Sequence, residues 1–223
     1  MSLAIFDLDN TLLDGDSDYL WGVFLSEQGI VDPEYYESEN ERFYQEYKEG
    51  RLDIMEFAAF SMKPLADNPR EKLDEWHAQF LKEKIEPMIT QGARGLVEKH
   101  RSAGDTLMII TATNAFVTTP IAKLFGIEHL IATVPQQNAA GEYTGEVEGV
   151  PSFKEGKVTR LHQWLEQYNA SLDGSWFYSD SHNDLPMLDL VENPVVVNPD
   201  AILADTAEKR GWPSMQLRVE NEA

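Results

Sequence analysis

The chain has no cysteine in 223 residues, which excludes disulfides, thiolate nucleophiles and thiolate metal sites. It is also short of positive charge: 18 lysines and arginines stand against 39 aspartates and glutamates, a formal charge of −21. Nucleic acid and anionic membrane surfaces need basic patches, so neither is an expected partner. An anionic substrate must then be drawn in by local cations, against the overall field. No apolar run approaches the ~20 residues that span a bilayer. The first apolar run breaks at Asp7 with no basic segment before it, so no signal peptide is expected. Internal repeats and low-complexity tracts are missing too. These absences lead to the expectation of a cytoplasmic protein, monomeric or homodimeric.

What is present suits a folded globular chain. Hydrophobic residues make up 42% and there are five tryptophans, enough for one large domain or a domain carrying an insertion. The opening stretch Ala4-Ile5-Phe6-Asp7-Leu8-Asp9-Asn10-Thr11-Leu12-Leu13 is the most informative. Leu3 to Phe6 is too short for a helix and reads as a buried parallel strand. Asp7 then stands at the strand's carboxyl end, where open α/β sheets bind ligands. Asp7 and Asp9 can both face one small ligand from the loop that follows. Two carboxylates at contact distance repel by ~4 kcal/mol at an effective dielectric of 20. A hard cation such as Mg²⁺ relieves that repulsion. The alternative reading is a helix cap or turn, since Asp-Asn-Thr is also turn chemistry.

From Asp16 to about Ile89 the pattern is helical. Tyr19 to Leu25 is amphipathic, and Pro33 opens a second helix that runs to about Lys48. Asp53 caps a third that ends near Pro64, and Asn68-Pro69 starts a fourth with Leu73, Trp76, Phe80 and Leu81 at helical spacing. Strands and helices then alternate. Strands are expected at Thr106–Ile110, His129–Val134, Ser175–Tyr178 and Val195–Val197. Helices are expected at Gly92–Ala103, Asn114–Phe125, Lys157–Tyr168 and Leu185–Val191. The stretch Ala139 to Phe153, with Gly141, Gly145 and Gly149, reads as a β-hairpin excursion. The tail after Asp205 reads as irregular. The pattern predicts an α/β domain interrupted by a helical insertion.

Polar residues of particular kinds stand at three further strand or helix ends. Thr111 follows the second strand just before a helix, a position for oxyanion or phosphate binding. Lys157 offers a point charge at the start of the helix after the hairpin, with Lys154 as its competitor. Asp180 and Asp184 follow the fourth strand and suit a cation. Taken singly, each has a structural alternative: a strand-end threonine, a solvated lysine, a helix cap.

Together these residues resemble the haloacid dehalogenase (HAD) superfamily, in its phosphoserine-phosphatase-like branch with a helical cap. Asp7-Leu8-Asp9-Asn10-Thr11 fits the first motif, Thr111 the second, Lys157 the third and Asp180 to Asp184 the fourth. Ser179 departs from the glycine usual before the fourth-motif aspartate. The resemblance implies a Rossmann-like three-layer α/β fold around a parallel sheet. Residues 1–14 plus 90–223 would form the core, 15–89 a four-helix cap, and the hairpin a small flap. It implies a Mg²⁺-dependent phosphomonoester hydrolase in which Asp7 attacks phosphorus to form an aspartyl-phosphate. Asp9 would act as general acid and base. The cation would be held by Asp7, the Asp9 carbonyl and Asp180, with Asp184 direct or through water. Thr111, Lys157 and backbone N–H groups near Leu8 and Ala112 would hold phosphoryl oxygens, and Asn183 would orient phosphate or a metal-bound water. His182 is read as loop decoration.

The same resemblance puts Asp16 where an acidic residue of the branch faces a substrate amine. It puts Ser61 where phosphoserine phosphatases carry a carboxylate-clamping arginine. An amino-alcohol phosphate is therefore the expected substrate class. Histidinol-phosphate phosphatases of this branch are the leading comparison, with Trp21 or Phe60 as candidate stacking partners and phosphoserine as the alternative, Arg51 then standing in for the clamp. A two-component receiver domain uses similar acids but is about half this length and lacks a cap. A catalytically inactive relative, or a phosphotransferase to alcohols, are the remaining readings.

Overall fold

The computed structural model describes residues 2–218. Its centre is β1 (Leu3–Phe6), buried along its whole length. Alternate residues of this strand serve opposite faces of the sheet. Ala4 and Phe6 join one hydrophobic core, Leu3 and Ile5 the other. Parallel neighbours flank it on both sides: β2 (Thr106–Asn114), with Phe6 beside Ile109, and β5 (Trp176–Ser179), with Phe6 beside Tyr178.

Outward from β2 lie β3 (His129–Gln137) and then β4 (Tyr143–Glu148). Outward from β5 lie β6 (Asn193–Val197) and β7 (Ser214–Met215). The order is β4-β3-β2-β1-β5-β6-β7, with only β4 antiparallel. The chain thus winds away from β1 in one direction, returns, and winds away in the other. Such a reversal opens a crevice at the carboxyl ends of the central strands. No helix among the described residues is long and apolar enough to cross a membrane.

Of the helices between β1 and β2, the first four form the insertion: α1 (Ser17–Glu27), α2 (Pro33–Lys48), α3 (Ile54–Asp67) and α4 (Arg70–Phe80). Three of them begin at aspartates whose side chains accept backbone N–H bonds: Asp16, Asp32 and Asp53. Helices α5 (Gln91–Ala103) and α6 (Ala115–Leu124) follow, then α7 (Glu155–Tyr168), α8 (Leu185–Leu188) and α9 (Ala201–Arg210). The inserted helices share one apolar cluster with the rest of the fold, in which Trp21 and Phe24 meet Phe80 and Phe116.

Four boundaries depart from expectation. Helix α3 runs through Pro64 to Asp67, because Met62, Pro64 and Leu65 are all buried and tertiary packing outweighs the local break. Strand β2 continues past Ile110 to Asn114 with a register shift, so Thr111 lies within its terminal stretch. The excursion forms its hairpin with β3 itself, which runs on to Gln137 and pairs with β4. The segment after Asp205 is not irregular at first. Asp200 caps α9 through the N–H groups of Ile202 and Leu203, Gly211 ends it in the left-handed region, and β7 follows; residues beyond 218 lie outside the described residues.

Candidate active site

Asp7 is the first residue after β1, and its N–H donates to Tyr178 O at 2.9 Å, so the sheet itself positions it. Its carboxylate is buried and accepts from Lys157 Nζ at 2.8 Å. Burial is the dominant influence on this group. Partly offset by Lys157 and reinforced by Asp184, it pushes the Asp7 carboxyl up to about 7. The next residues make one wide turn, Leu8–Leu12, in which Asn10 takes a left-handed φ of 57°. That turn aims the Asp9 side chain back over the strand ends. Asp9 Oδ1 accepts from Ser17 N at 2.6 Å, and Oδ2 from Thr113 Oγ1 at 2.8 Å and Thr111 Oγ1 at 3.4 Å. Leu8 has its side chain in the core, which leaves only its backbone for a ligand.

Lys157 enters from α7. A left-handed Lys154 (φ 48°) starts that helix, and Gly156 follows so close to the preceding loop that a Cβ there would lie 2.1 Å from Pro151 O. The glycine is what lets the helix begin near enough for Lys157 to reach the strand ends. Lys157 Nζ bridges Asp7 and Asp184, and the two carboxylates together hold its ammonium charged, well above the ordinary range, against burial. Lys154 reaches elsewhere, donating to Gly50 O at 2.6 Å. Asp184 is also held by Ser179 Oγ at 2.7 Å. The serine found where a glycine is usual therefore has a bond of its own to make.

Asp180 accepts from Thr11 Oγ1 at 3.2 Å, and burial, then Asp7 and Asp184, raise its carboxyl well above the carboxylate range. Asn183 donates Nδ2 to Tyr47 O at 3.0 Å, while its Oδ1 is a buried acceptor with no partner among the described residues. His182 is tied to Asp200 at 2.8 Å. No group of three histidine or acidic side chains shaped for a metal occurs among the described residues. The carboxylates of Asp9 and Asp184 are taken up by the bonds above. Asp7 and Asp180 repel each other, and a cation would relieve that repulsion. That donor set is hard and anionic, and it fits Mg²⁺.

Above this floor lies a partly open cavity. Asp7, Asp9, Thr111, Ala112, Thr113 and Lys157 line its lower part. Asp16, Asp18, Tyr19, Phe43, Tyr44, Tyr47 and Phe57 line the side under the helices. Trp21 and Phe60, expected as stacking partners, do not line it. Trp21 is buried against Phe24, Phe80 and Phe116, and Phe60 packs on Tyr36 and Phe43. Amphipathic spacing shows that a helix has an apolar face without showing which neighbour that face meets. Ser61 lies in a separate cleft, and Arg51 pairs at the surface with Glu46 and Glu49. Lys157 is the one cation among the described lining residues. Thr113 and the tyrosines of α2 were not anticipated from the sequence. Thr113 had a signal, since Thr111 and Thr113 stand two apart in a strand and share a face.

A central-strand aspartate, a buried lysine and two acidic strand-end loops beneath the inserted helices mark an aspartate-centred hydrolase built on an open parallel sheet. The chain belongs to the haloacid dehalogenase-like hydrolase family, whose signature matches residues 4–189. It is 47% identical, over 97% of its length and 99% of the relative's, to the histidinol-phosphatase of Neisseria meningitidis serogroup C. It is 31% identical to the phosphoserine phosphatase SerB1 of Mycobacterium tuberculosis, over 99% of this chain and 72% of that one. A crystal structure of a Bordetella pertussis Tohama I protein of unknown function superposes with a TM-score of 0.91, at 43% identity, covering 97% and 99% of the two chains.

Proposed function

We propose that this phosphatase hydrolyses histidinol phosphate, with Mg²⁺ and through an aspartyl-phosphate on Asp7. Residues 1–14 and 90–223 act as the catalytic core and 15–89 as the cap. The observation that carries the substrate reading is the cavity lining: a cationic floor at Lys157, an acidic and aromatic roof, and no arginine among the described lining residues. A phosphoryl group suits the floor. A leaving group that is cationic and flat suits the roof, and a free carboxylate finds no bidentate partner there. The 47% identity to a histidinol-phosphatase over nearly the full length of both chains supports the same choice. Phosphoserine is the second reading, favoured by the 31% relative and opposed by the missing clamp.

In the first step an Asp7 oxygen attacks phosphorus while the ester P–O bond breaks, and Asp9 gives its proton to the departing alkoxide. In the second, water attacks the same phosphorus, Asp9 takes the water's proton, and the Asp7–phosphorus bond breaks to release phosphate. Thr113 and the Ser17 N–H hold Asp9 over the leaving oxygen. Lys157, Thr111 and backbone N–H groups at Leu8 and Ala112 neutralise and orient the phosphoryl oxygens. Asp7, the Asp9 carbonyl and Asp180, with Asp184 and Asn183 alongside, would hold Mg²⁺, which would supply further charge neutralisation.

Initial rates decide the substrate. The expected kcat/KM on histidinol phosphate exceeds that on phosphoserine by about tenfold or more, a difference of ~1.4 kcal/mol. Equal values would overturn the preference, and the absence of Mg²⁺-dependent phosphate release from any ester would identify an inactive relative instead.

Thermal unfolding tests the cation. Burial raises the Asp7 carboxyl from its ordinary 3.8 to about 7 in the folded chain, so the folded state binds the extra proton between those values. The linked stability is complete below the lower value and is lost as pH rises through the upper one. A cation competes with that proton. Millimolar Mg²⁺ is therefore expected to raise Tm by about 5 °C near pH 8 and much less near pH 5.5. An equal shift at both values would count against binding at Asp7.

A further inference from the structure

The substrate reading above leaves open which group meets the cationic end of the leaving group. Four aspartates line the cavity: Asp7, Asp9, Asp16 and Asp18. Asp7 is paired with Lys157. Both oxygens of Asp9 are bonded, to Ser17 N and to Thr113 and Thr111. Asp16 caps α1, its Oδ1 accepting from Asp18 N and Tyr19 N, both at 2.9 Å. The Asp18 carboxylate has no hydrogen-bond or ion-pair partner among the described residues, although its own N–H is engaged by that cap.

Its surroundings make that lack consequential. Asp18 sits one helical step up from the cap and faces the same cavity as Phe43 and Phe57. It also borders an adjoining apolar cleft with Trp21, Tyr36 and Phe60. Burial, then Asp16 and Asp9, raises its carboxyl well above the ordinary range, while the residue stays partly exposed to the cavity. A partly dry anion among aromatic rings is costly alone and strongly attractive to a desolvated cation. Lys157, at the floor of the same cavity, is committed to Asp7 and Asp184 and does not serve as that cation.

Resting on the histidinol phosphate reading, we infer that Asp18 is the specificity residue that recognises the cationic end of the leaving group, Asp16 serving chiefly to cap the helix from which Asp18 projects. The shared chemistry is a positive charge on an ammonium or an imidazolium. The second can also make a cation–π contact with the aromatic rings that line the same cavity.

The experiment measures kcat/KM for histidinol phosphate, phosphoethanolamine and p-nitrophenyl phosphate in the parent, Asp18→Asn and Asp18→Glu, with Tm for each. The readout is the ratio of each cationic ester to p-nitrophenyl phosphate. Asp18→Asn is expected to lower the histidinol phosphate ratio by about 30-fold or more, the loss typical of truncating one partner of a desolvated charge pair. Asp18→Glu, which keeps the charge, is expected to recover part of it. A fall confined to histidinol phosphate identifies the imidazolium as the partner; an equal fall for phosphoethanolamine identifies the ammonium, and either sustains the assignment. Ratios within about threefold of the parent for both esters in Asp18→Asn overturn it. If the parent cleaves phosphoethanolamine and not histidinol phosphate, the substrate reading fails while the phosphoethanolamine ratio still judges Asp18. A misfolded variant shows in Tm and lowers all three rates together, which the Asp18→Glu variant separates from a loss of recognition.

Discussion

Asp7→Asn is expected to lower kcat on every phosphomonoester by about four orders of magnitude or more while leaving the protein at least as stable as its parent near pH 8. The two halves of that outcome have separate causes. An amide oxygen cannot form the covalent intermediate, so the difficult displacement is no longer split into two steps. The fold loses little, because the amide carbonyl can still accept from Lys157 and the Lys157 charge remains balanced by Asp184. A buried carboxylate whose carboxyl is pushed up to about 7 is a burden on the folded state once ionised, and the amide removes it. Steady-state phosphate release with a parallel Tm scan checks both halves. A residual rate above about one-hundredth of the parent's would mean that another group attacks phosphorus.

Lys157→Met has the opposite profile, costing both stability and activity. Methionine keeps much of the volume but leaves Asp7 and Asp184 facing each other in a buried site with no cation between them. Breaking a buried pair by deleting one partner costs about 3–5 kcal/mol. In a chain of this length that corresponds to a Tm lower by roughly 6–20 °C. The deficit is expected to shrink as pH falls, since Asp7, already raised by burial, takes up a proton and relieves the repulsion. Phosphate turnover falls with it, because the floor of the cavity loses its one cation among the described lining residues. A Tm within about 2 °C of the parent at pH 8 would show that the Asp7–Lys157–Asp184 bridge is not a real feature of the folded protein.

These two effects meet at residues that the sequence already singled out. Asp7, Asp9, Thr111, Lys157, Asp180 and Asp184 stand out because chemistry demands unusual residue types at places where packing does not. An apolar run that ends in carboxylates is a local pattern, visible without any tertiary knowledge. The same holds for the helical texture between Asp16 and Ile89, whose caps and breakers are short-range signals. Where local signals were thin or overruled, expectation failed: α3 runs on through Pro64, and α9 forms under the cap of Asp200 in a stretch that read as irregular.

The chain alone, then, determined the class of chemistry and the strand ends proposed to carry it, because residue type, strand length and turn chemistry act over a few positions. The tertiary structure separates Lys157 from Lys154, three residues apart, by carrying one to Asp7 across 150 positions and the other to Gly50. Only it gave Asp9 its threonine clamp, withdrew Trp21 and Phe60 from the cavity, and left Asp18 at the roof without a partner among the described residues. Those outcomes depend on which helix face meets which neighbour, and that is set by the packing of distant segments, on which local periodicity is silent.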